Sequence, residues 1–231
     1  MSRGMKPLEI SPLKAAVRVV SRRLGILTRG RRPMAFPTYS PAVAKRIEQY
    51  PDEVRYSTLA LAIQRLELDQ VSGAFAEIGV YRGATSSFIH HQSPNRRFYL
   101  FDTFEGFPSQ DLEGRTDSRF NDTSQEAVER FIGGNENIVF RKGYFPDTAC
   151  GLEGEKFALV MLDCDLYRTS LAVLAFFYPR MKRGGYFFIH DFNSPESDHG
   201  VSRAVADFMA DKAELLTELP DQFGSALFRK I

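Results

Sequence analysis

Short apolar runs and amphipathic segments alternate from residue 74 to the end of the chain. The apolar runs are rich in β-branched and aromatic residues and predict strands, and the segments with helical apolar spacing predict helices. The predicted strands are 74–80, 97–101, 138–142, 157–163, 185–190, 215–218 and 225–229. The predicted helices that separate them are 84–91, 124–132, 168–181 and 201–212. This order predicts an α/β fold with a doubly wound, mostly parallel seven-stranded sheet and an antiparallel C-terminal hairpin.

The first 70 residues have a different pattern from the rest of the chain. Residues 1–35 contain nine Lys or Arg and one acidic residue, and their apolar positions follow helical spacing. A helix of this kind can lie on an anionic membrane, bind a partner or pack in a homo-oligomer. Three prolines then indicate a linker, and two further helices are predicted at 40–50 and 54–68. The predicted division is a basic leader with N-terminal helices at 1–70, for capping or oligomerisation, and one α/β domain at 71–231.

Composition narrows the class of protein. The chain has 231 residues, 43% of them hydrophobic and 26% charged, and its net charge of +1 argues against a nucleic-acid binder. Two cysteines provide no disulfide framework and suit a reducing compartment. The sequence has no apolar run of the length that a membrane span needs, and arginines interrupt the N-terminal apolar positions that a signal peptide would require. We therefore expect a cytoplasmic protein, with a weak membrane-surface contact through the leader as an alternative.

The most informative segment is the end of the first predicted strand, where Glu77, Gly79 and Gly83 form the pattern Glu-x-Gly-x-x-x-Gly. A strand that passes through a glycine turn into a helix brings backbone N–H groups close to a ligand. The pattern differs from the dinucleotide fingerprint G-x-G-x-x-G, which argues against a nicotinamide dehydrogenase. An ordinary strand-to-helix turn without a ligand is the alternative.

A second signal follows at the end of the next predicted strand. Asp102 lies 19 positions after Gly83. In doubly wound folds an acidic residue at about this distance accepts hydrogen bonds from ribose hydroxyls. A carboxylate that only caps the turn at 103–106 is the alternative.

Acidic residues and a histidine follow two later strands. Asp163 and Asp165 come after one apolar run, and His190 and Asp191 come after the next. Oxygen ligands and an imidazole at neighbouring strand ends can hold a divalent cation, which lowers the pKa of a bound hydroxyl. A nearby carboxylate can then accept the proton. Capping of the following helices by Asp165 and Asp191 is the alternative.

Five segments, in this order along the chain, resemble the macrocin O-methyltransferase family. They are 77–83 (EIGVYRG), 101–108 (FDTFEGFP), 142–148 (KGYFPDT), 162–167 (LDCDLY) and 184–186 (GGY). The resemblance covers about residues 70–231, and five ordered motifs are far more specific than any single one. It implies a class I methyltransferase (Rossmann-like) domain, S-adenosylmethionine as donor and Mg²⁺-dependent transfer to a sugar hydroxyl.

The same resemblance implies a set of residues that contact the donor. Glu77 and Gly79 would line its methionine end, Asp102 would hold its ribose, and Tyr144 and Phe145 would lie near its adenine. The full predicted set is Glu77, Gly79, Val80, Tyr81, Gly83, Ser86, Asp102, Thr103, Tyr144, Phe145 and Asp163.

For the chemistry, the resemblance implies that Asp163 is the general base and also a metal ligand, with Asp191 as a second ligand. Characterised sugar methyltransferases of this family usually carry two successive aspartates after the fifth strand, and here the first is His190. Imidazole can bind a metal but suits softer ions than Mg²⁺. We therefore predict a site of Asp163, His190 and Asp191 for Mg²⁺ or another divalent cation, and the departure leaves the metal dependence open.

The predicted function is O-methylation of a sugar or glycoconjugate hydroxyl. The sequence leaves open methylation of a phenolic or other small hydroxyl, because the predicted acceptor segments, the leader and residues 107–124, follow no pattern specific to one acceptor. A non-catalytic homologue that only binds the donor is a third alternative. A small-molecule or glycoconjugate acceptor, no nucleic acid and a homo-oligomer are the expected partners.

Overall fold

A seven-stranded sheet forms the centre of the computed structural model, which describes residues 39–133 and 136–231. The strand order is β3-β2-β1-β4-β5-β7-β6. Strands β1 to β5 pair in parallel, and β7 pairs antiparallel with β5 and β6. The strands are β1 (Ala74–Ile78), β2 (Phe98–Asp102), β3 (Ile138–Lys142), β4 (Phe157–Leu162), β5 (Met181–Ile189), β6 (Thr217–Glu218) and β7 (Ala226–Arg229). The predicted fold class and its antiparallel C-terminal edge are confirmed.

Helices cover both faces of this sheet. The α-helices are α1 (Pro41–Ile47), α2 (Glu53–Leu68), α3 (Ala84–Gln92), α4 (Gln125–Ile132), α5 (Tyr167–Phe177) and α6 (Gly200–Met209). Single 3-10 turns lie at Ser109–Asp111, Asp147–Ala149, Tyr178–Arg180 and Glu196–His199. Buried residues of α1 to α4 pack with one face of the sheet, and those of α5 and α6 pack with the other. Successive strand residues therefore alternate between two apolar cores.

Several predicted boundaries are wrong. The helix predicted at 168–181 ends at Phe177, because Pro179 in the following turn cannot donate a helical hydrogen bond. Met181 begins β5 instead, so that strand is longer than predicted. Strand β1 ends before Gly79, whose φ of +90° is incompatible with a continuing strand. The last hairpin is shorter than predicted, since only Thr217 and Glu218 of its first arm are in a ladder.

The two predicted N-terminal helices are present as α1 and α2, and both contribute to the core on one face of the sheet. The leader at 1–35 and the linker prolines Pro33 and Pro37 lie outside the described residues. The domain boundary at residue 70, the homo-oligomer and the cytoplasmic location stay predictions. Within 39–133 and 136–231, the helices lack the length and apolar character that a bilayer crossing requires.

Candidate active site

The carboxyl ends of the parallel strands surround a cavity of about 430 Å³. This is where open α/β sheets bind their ligands, and the volume lies in the range of small-molecule sites. Most of the predicted site residues line it. They are Glu77, Gly79, Val80, Tyr81, Asp102, Thr103, Tyr144, Phe145, Asp163, His190 and Asp191. Gly83 and Ser86 do not line the cavity.

Gly79 is required where β1 and β4 end side by side. An added Cβ at this position would lie 1.7 Å from the carbonyl oxygen of Asp163. The backbone of residues 79–81 therefore turns directly over the end of β4, and Ile78 accepts a hydrogen bond of 2.8 Å from the Asp163 amide. The glycine brings the two segments that carry the predicted donor and catalytic residues into contact.

The two predicted residues outside the cavity support its wall. Gly83 precedes α3 with a φ of +79°, and a Cβ there would meet the side chain of Val128 at 2.8 Å. The buried hydroxyl of Ser86 donates a hydrogen bond of 2.5 Å to Glu77 Oε2. Burial raises the pKa of the Glu77 carboxyl well above its usual range, against the effect of the Ser86 hydroxyl. Ser86 thus orients Glu77 at the floor of the site without facing the cavity itself.

The carboxylate of Asp102 organises the backbone around it. Its Oδ2 accepts hydrogen bonds from the Val80 amide at 2.7 Å and from the Tyr81 amide at 2.8 Å. Its Oδ1 accepts one from the Phe104 amide at 2.6 Å. A carboxylate has about four acceptor positions, so one remains on Oδ1. Asp102 therefore does cap the turn, and one of its acceptor positions is left for a hydroxyl of a ligand.

The remaining predicted donor residues lie on the loops after β2 and β3. The Thr103 hydroxyl donates to the Gly106 carbonyl at 2.6 Å, which closes the turn after β2. The Tyr144 hydroxyl donates to Asp111 Oδ1 at 2.9 Å. The ring of Phe145 is buried and packs within the second apolar core. These contacts fix one tyrosine and one phenylalanine at the side of the cavity next to β2.

Asp163, His190 and Asp191 come together as predicted, at the ends of β4 and β5. The His190 Nδ1 atom lies 2.9 Å from Asp163 Oδ1 and 2.8 Å from Asp191 Oδ2. One candidate ligand atom from each of the three residues lies within 4.8 Å of the others. His190 is buried, whereas the two carboxylates are partly exposed to the cavity. The three side chains form one hydrogen-bonded group.

Arg55 joins this group, and no sequence motif indicated that it would. Arg55 lies in the first turn of α2, is 9% exposed and lines the cavity. One guanidinium nitrogen contacts His190 Nε2, and the same nitrogen lies 4.0 Å from Asp163 Oδ2. No local motif surrounds Arg55, and its partners are more than 100 positions away along the chain, so spacing could not have identified it.

The charges in this group shift several pKa values. Burial raises the pKa of Asp163, but His190 and Arg55 outweigh it and hold that pKa below its usual range. For His190, burial lowers the pKa, and the two carboxylates raise it to about 10. The carboxylates alone would thus favour a second proton on the imidazole. The guanidinium at Nε2 opposes that proton, because two N–H donors cannot share one hydrogen bond.

Asp165 is a further carboxyl group of the cavity. It is buried, and burial together with Asp191 and Asp163 raises its pKa to about 8. The predicted capping role is absent: the N-cap of α5 is Leu166, without a side-chain cap, and Asp191 bonds to His190 instead. At neutral pH Asp165 can therefore donate a hydrogen bond as well as accept one.

Comparison with known proteins agrees with these observations. The sequence profile of the macrocin O-methyltransferase (TylF) family matches residues 51–219, more than two thirds of the chain. This chain belongs to that family. Membership confirms the resemblance predicted from the five motifs.

Two curated relatives of this macrocin O-methyltransferase family member are O-methyltransferases by name. The 8-demethyl-8-(2,3-dimethoxy-alpha-L-rhamnosyl)-tetracenomycin-C 4'-O-methyltransferase of Streptomyces olivaceus is 27% identical over 156 residues, 60% of each protein. The mycinamicin III 3''-O-methyltransferase of Micromonospora griseorubida is 26% identical over 182 residues, 66% of this chain and 72% of that protein. The match thus spans well under two thirds of the first relative's length.

A solved structure has the same fold. The O-methyltransferase NovP superposes with a TM-score of 0.65 and 21% identity, over 77% of this chain and 80% of its own. At this level of identity the likeness supports the fold of the family member and nothing finer.

The metal that the family resemblance implies does not fit the hydrogen bonds of this site. Metal ligation through His190 Nδ1 requires the ring proton on Nε2, whereas the guanidinium of Arg55 needs a lone pair at Nε2. Ligation by the carboxylates would also place a dication beside a buried guanidinium. The three predicted ligands are together, but their protons and the neighbouring cation are arranged against a divalent ion.

Aromatic side chains that the motifs did not indicate form the mouth of the cavity. Phe107 and Phe120 lie edge to face at 5.2 Å, and Phe120 contacts the Tyr81 ring at 5.1 Å in the same manner. The ring of Phe223, from the loop before β7, also lines the cavity and lies 5.3 Å from the ring of His190. Residues 107–124 were predicted as an acceptor segment, and Phe107 and Phe120 of that segment do line the cavity.

Proposed function

We propose that this protein transfers the methyl group of S-adenosylmethionine to a hydroxyl of a sugar or glycoconjugate. One observation supports this most directly. In a member of a methyltransferase family, Glu77, Asp102 and Asp163 from three strand ends face a single cavity of ligand size. The donor residues lie at the β1 and β2 ends and the candidate base at the β4 end, so both substrates can meet between them.

The donor is proposed to lie along the ends of β1 and β2. The remaining acceptor position of Asp102 suits a ribose hydroxyl, and the backbone turn after Gly79 allows the donor to approach the sheet. Tyr144 and Phe145, beside β2, are proposed to line the adenine site. Glu77 faces the methionine end, where its raised pKa allows it to donate a hydrogen bond.

Asp163 is proposed to act as the general base. The bound donor supplies an electrophilic methyl group on a sulfonium centre. The acceptor oxygen forms the new C–O bond as the C–S bond breaks, and its proton passes to a carboxylate oxygen of Asp163. The lowered pKa of Asp163 keeps it ionised at neutral pH, as an accepting group must be, and His190 fixes its orientation.

The aromatic mouth is proposed to hold the acceptor. Phe107, Phe120 and Phe223 offer apolar surfaces against which the faces of a sugar ring can pack. The name of the tetracenomycin relative specifies a rhamnosyl group in its acceptor, which supports a sugar here. A phenol is the second candidate, because the same three rings can stack on an aromatic acceptor.

Methyl transfer from radiolabelled S-adenosylmethionine tests the proposal. We expect label in rhamnosyl-bearing glycosides and little in catechol when both are offered to the full chain. Label in catechol alone would replace the sugar with the phenolic acceptor. If neither class is labelled while S-adenosylhomocysteine binds, the non-catalytic alternative would take the place of the proposal.

A further inference from the structure

We propose that the guanidinium of Arg55 is the resident cation of this site, in the place where the family resemblance implies a divalent metal. The inference rests on the proposed function for its role in methyl transfer. The absence of a metal site is independent of that function and can be measured separately.

The hydrogen bonds assign the tautomer of His190. Its Nδ1 lies within hydrogen-bond distance of two carboxylates, Asp163 and Asp191, which can only accept when ionised. Its Nε2 faces a guanidinium nitrogen of Arg55, which can only donate. A neutral imidazole can share its Nδ1 proton between the two carboxylates and accept from the guanidinium at Nε2. That tautomer has no lone pair on Nδ1 for a metal, and its Nε2 lone pair is engaged.

The net charge of the site also favours Arg55 in place of a divalent metal. A neutral imidazole at position 190, where the family usually has an aspartate, removes one negative charge from the site. The buried guanidinium of Arg55 adds one positive charge, and arginine keeps that charge at any pH an enzyme experiences. Relative to a site with three carboxylates and no arginine, the two side chains supply two units of positive charge, which equals the charge of a divalent ion.

The backbone of Arg55 is held in place by neighbouring segments. Asp52 caps α2 by accepting a hydrogen bond of 3.1 Å from the Arg55 amide, and its other oxygen accepts one of 3.1 Å from the Gln222 amide. Gln222 precedes Phe223, whose ring lies against His190. The cap of α2 thus joins the arginine and the aromatic mouth into one unit.

Arg55 also retains a hydrogen-bond donor. Within the described part of the chain, its Nη2 atom makes one long hydrogen bond of 3.5 Å, to the Tyr56 hydroxyl. Because the guanidinium lines the cavity, the second N–H of this terminal nitrogen can bind the acceptor oxygen. A hydrogen bond to that oxygen from a cation stabilises the developing alkoxide, which is the role that a metal would otherwise have.

Manganese binding tests the absence of a metal site without any assay of activity. Mn²⁺ is titrated into the full chain, and free Mn²⁺ is followed by electron paramagnetic resonance. We expect no saturable binding up to about 1 mM for the wild type. We also expect binding to appear in the double variant R55M/H190D, which restores a carboxylate and removes the cation. R65M, which alters an exposed arginine of the same helix, should match the wild type.

Saturable Mn²⁺ binding by the wild type that is lost in D191N would overturn the inference. This result needs no folded double variant, so the wild-type titration decides even if R55M/H190D does not fold. A folded double variant that binds no Mn²⁺ would equally count against the inference, because the proposed obstacles to the metal would have been removed.

Activity tests the role of the guanidinium in transfer. We expect full methyl transfer by the wild type in excess chelator. R55M should lose about 10²-fold in kcat while its S-adenosylhomocysteine affinity stays unchanged, and R55K should recover part of the lost kcat. R55M with wild-type kcat, or inactivation by chelator, would overturn the inference while leaving the methyltransferase proposal intact. Failure of S-adenosylhomocysteine to bind would instead overturn the proposed function, and the Mn²⁺ titration would still report on the site.

Discussion

The two sides of the cavity are built in different ways. At the ends of β1 and β2, the site consists of a glycine turn and of backbone amides that one carboxylate, Asp102, holds together. At the ends of β4 and β5, it consists of charged side chains that contact one another, with Arg55 arriving from a helix far away along the chain. The first side is specified by short-range sequence, and the second by tertiary contacts.

This difference determines how each side can vary. A backbone turn that depends on Gly79 tolerates little change, because a larger residue collides with the neighbouring strand end. A group of side chains can exchange one source of positive charge for another while the backbone stays the same. His190 and Arg55 belong to this group of side chains. The proposed replacement of a metal by a guanidinium therefore lies at the ends of β4 and β5, where side chains can change without moving the backbone.

The largest expected effect is on the side-chain half of the site. D163N should reduce kcat by about 10²- to 10⁴-fold, because an amide cannot accept the proton of the acceptor hydroxyl. S-adenosylhomocysteine affinity, measured by calorimetry, should stay near that of the wild type. D211N, at an exposed aspartate, is the control and should keep full activity. Full turnover by D163N would exclude Asp163 as the base.

A substitution of Gly79, in the turn after β1, tests the half of the site that is built from backbone. G79A should destabilise the protein by about 3 kcal/mol or more, since its Cβ would overlap the Asp163 carbonyl oxygen. Urea unfolding gives the difference. G154A is the matched control, because an added Cβ meets no atom within 4 Å there. Equal stability of G79A and G154A would contradict the close approach of the two strand ends.

Asp102 tests whether the backbone half also binds the donor. D102A should weaken S-adenosylhomocysteine binding by about 1.5–3 kcal/mol, through the lost ribose contact and the loosened turn. The turnover of enzyme saturated with donor should change much less than it does in D163N. A D102A protein with wild-type affinity would show that the carboxylate only caps the turn, as the alternative from sequence held.

Glu214 lies outside both halves of the site, and Lys230 and Tyr178 both donate hydrogen bonds to its carboxylate. Burial would raise its pKa, but hydrogen bonds from Lys230 and Tyr178 outweigh burial and lower it to about 2. The folded pKa lies below the ordinary value of 4.5, so its stabilising effect is present above pH 4.5 and is lost as pH falls toward 2. E214Q should cost about 2 kcal/mol at pH 7 and progressively less below pH 4.5.

The control for this experiment is E48Q, at the exposed residue directly after α1, which should change stability little at any pH. A deficit in E214Q that stays constant down to pH 2 would contradict the lowered pKa. Both variants should keep the activity of the wild type, because Glu214 does not line the cavity.

The sequence predicted the parts of the molecule that depend on local pattern. Strand and helix order, the turn at Gly79 and the acidic positions at the strand ends all follow from periodicity, glycine and spacing. The end of α5 was misplaced, because its apolar pattern continues through Pro179 into Met181, which the sheet takes as the start of β5.

The residues that sequence did not reveal act through contacts between distant segments. Arg55 reads as an ordinary charged residue of an amphipathic helix, and Phe223 as an exposed loop residue. Their proximity to His190 results from the packing of α2 and the β6–β7 loop over the strand ends. The tautomer of His190, and hence the fit of a metal, depends on that packing and could not be derived from the motif alone.

The proposed function requires that the crevice at the strand ends bind S-adenosylmethionine. Its most direct test is a calorimetric titration of S-adenosylhomocysteine into the full chain, once with Mg²⁺ and once with chelator. We expect one molecule bound per chain with the same affinity in both conditions. Absence of saturable binding, with nicotinamide dinucleotide binding instead, would contradict it.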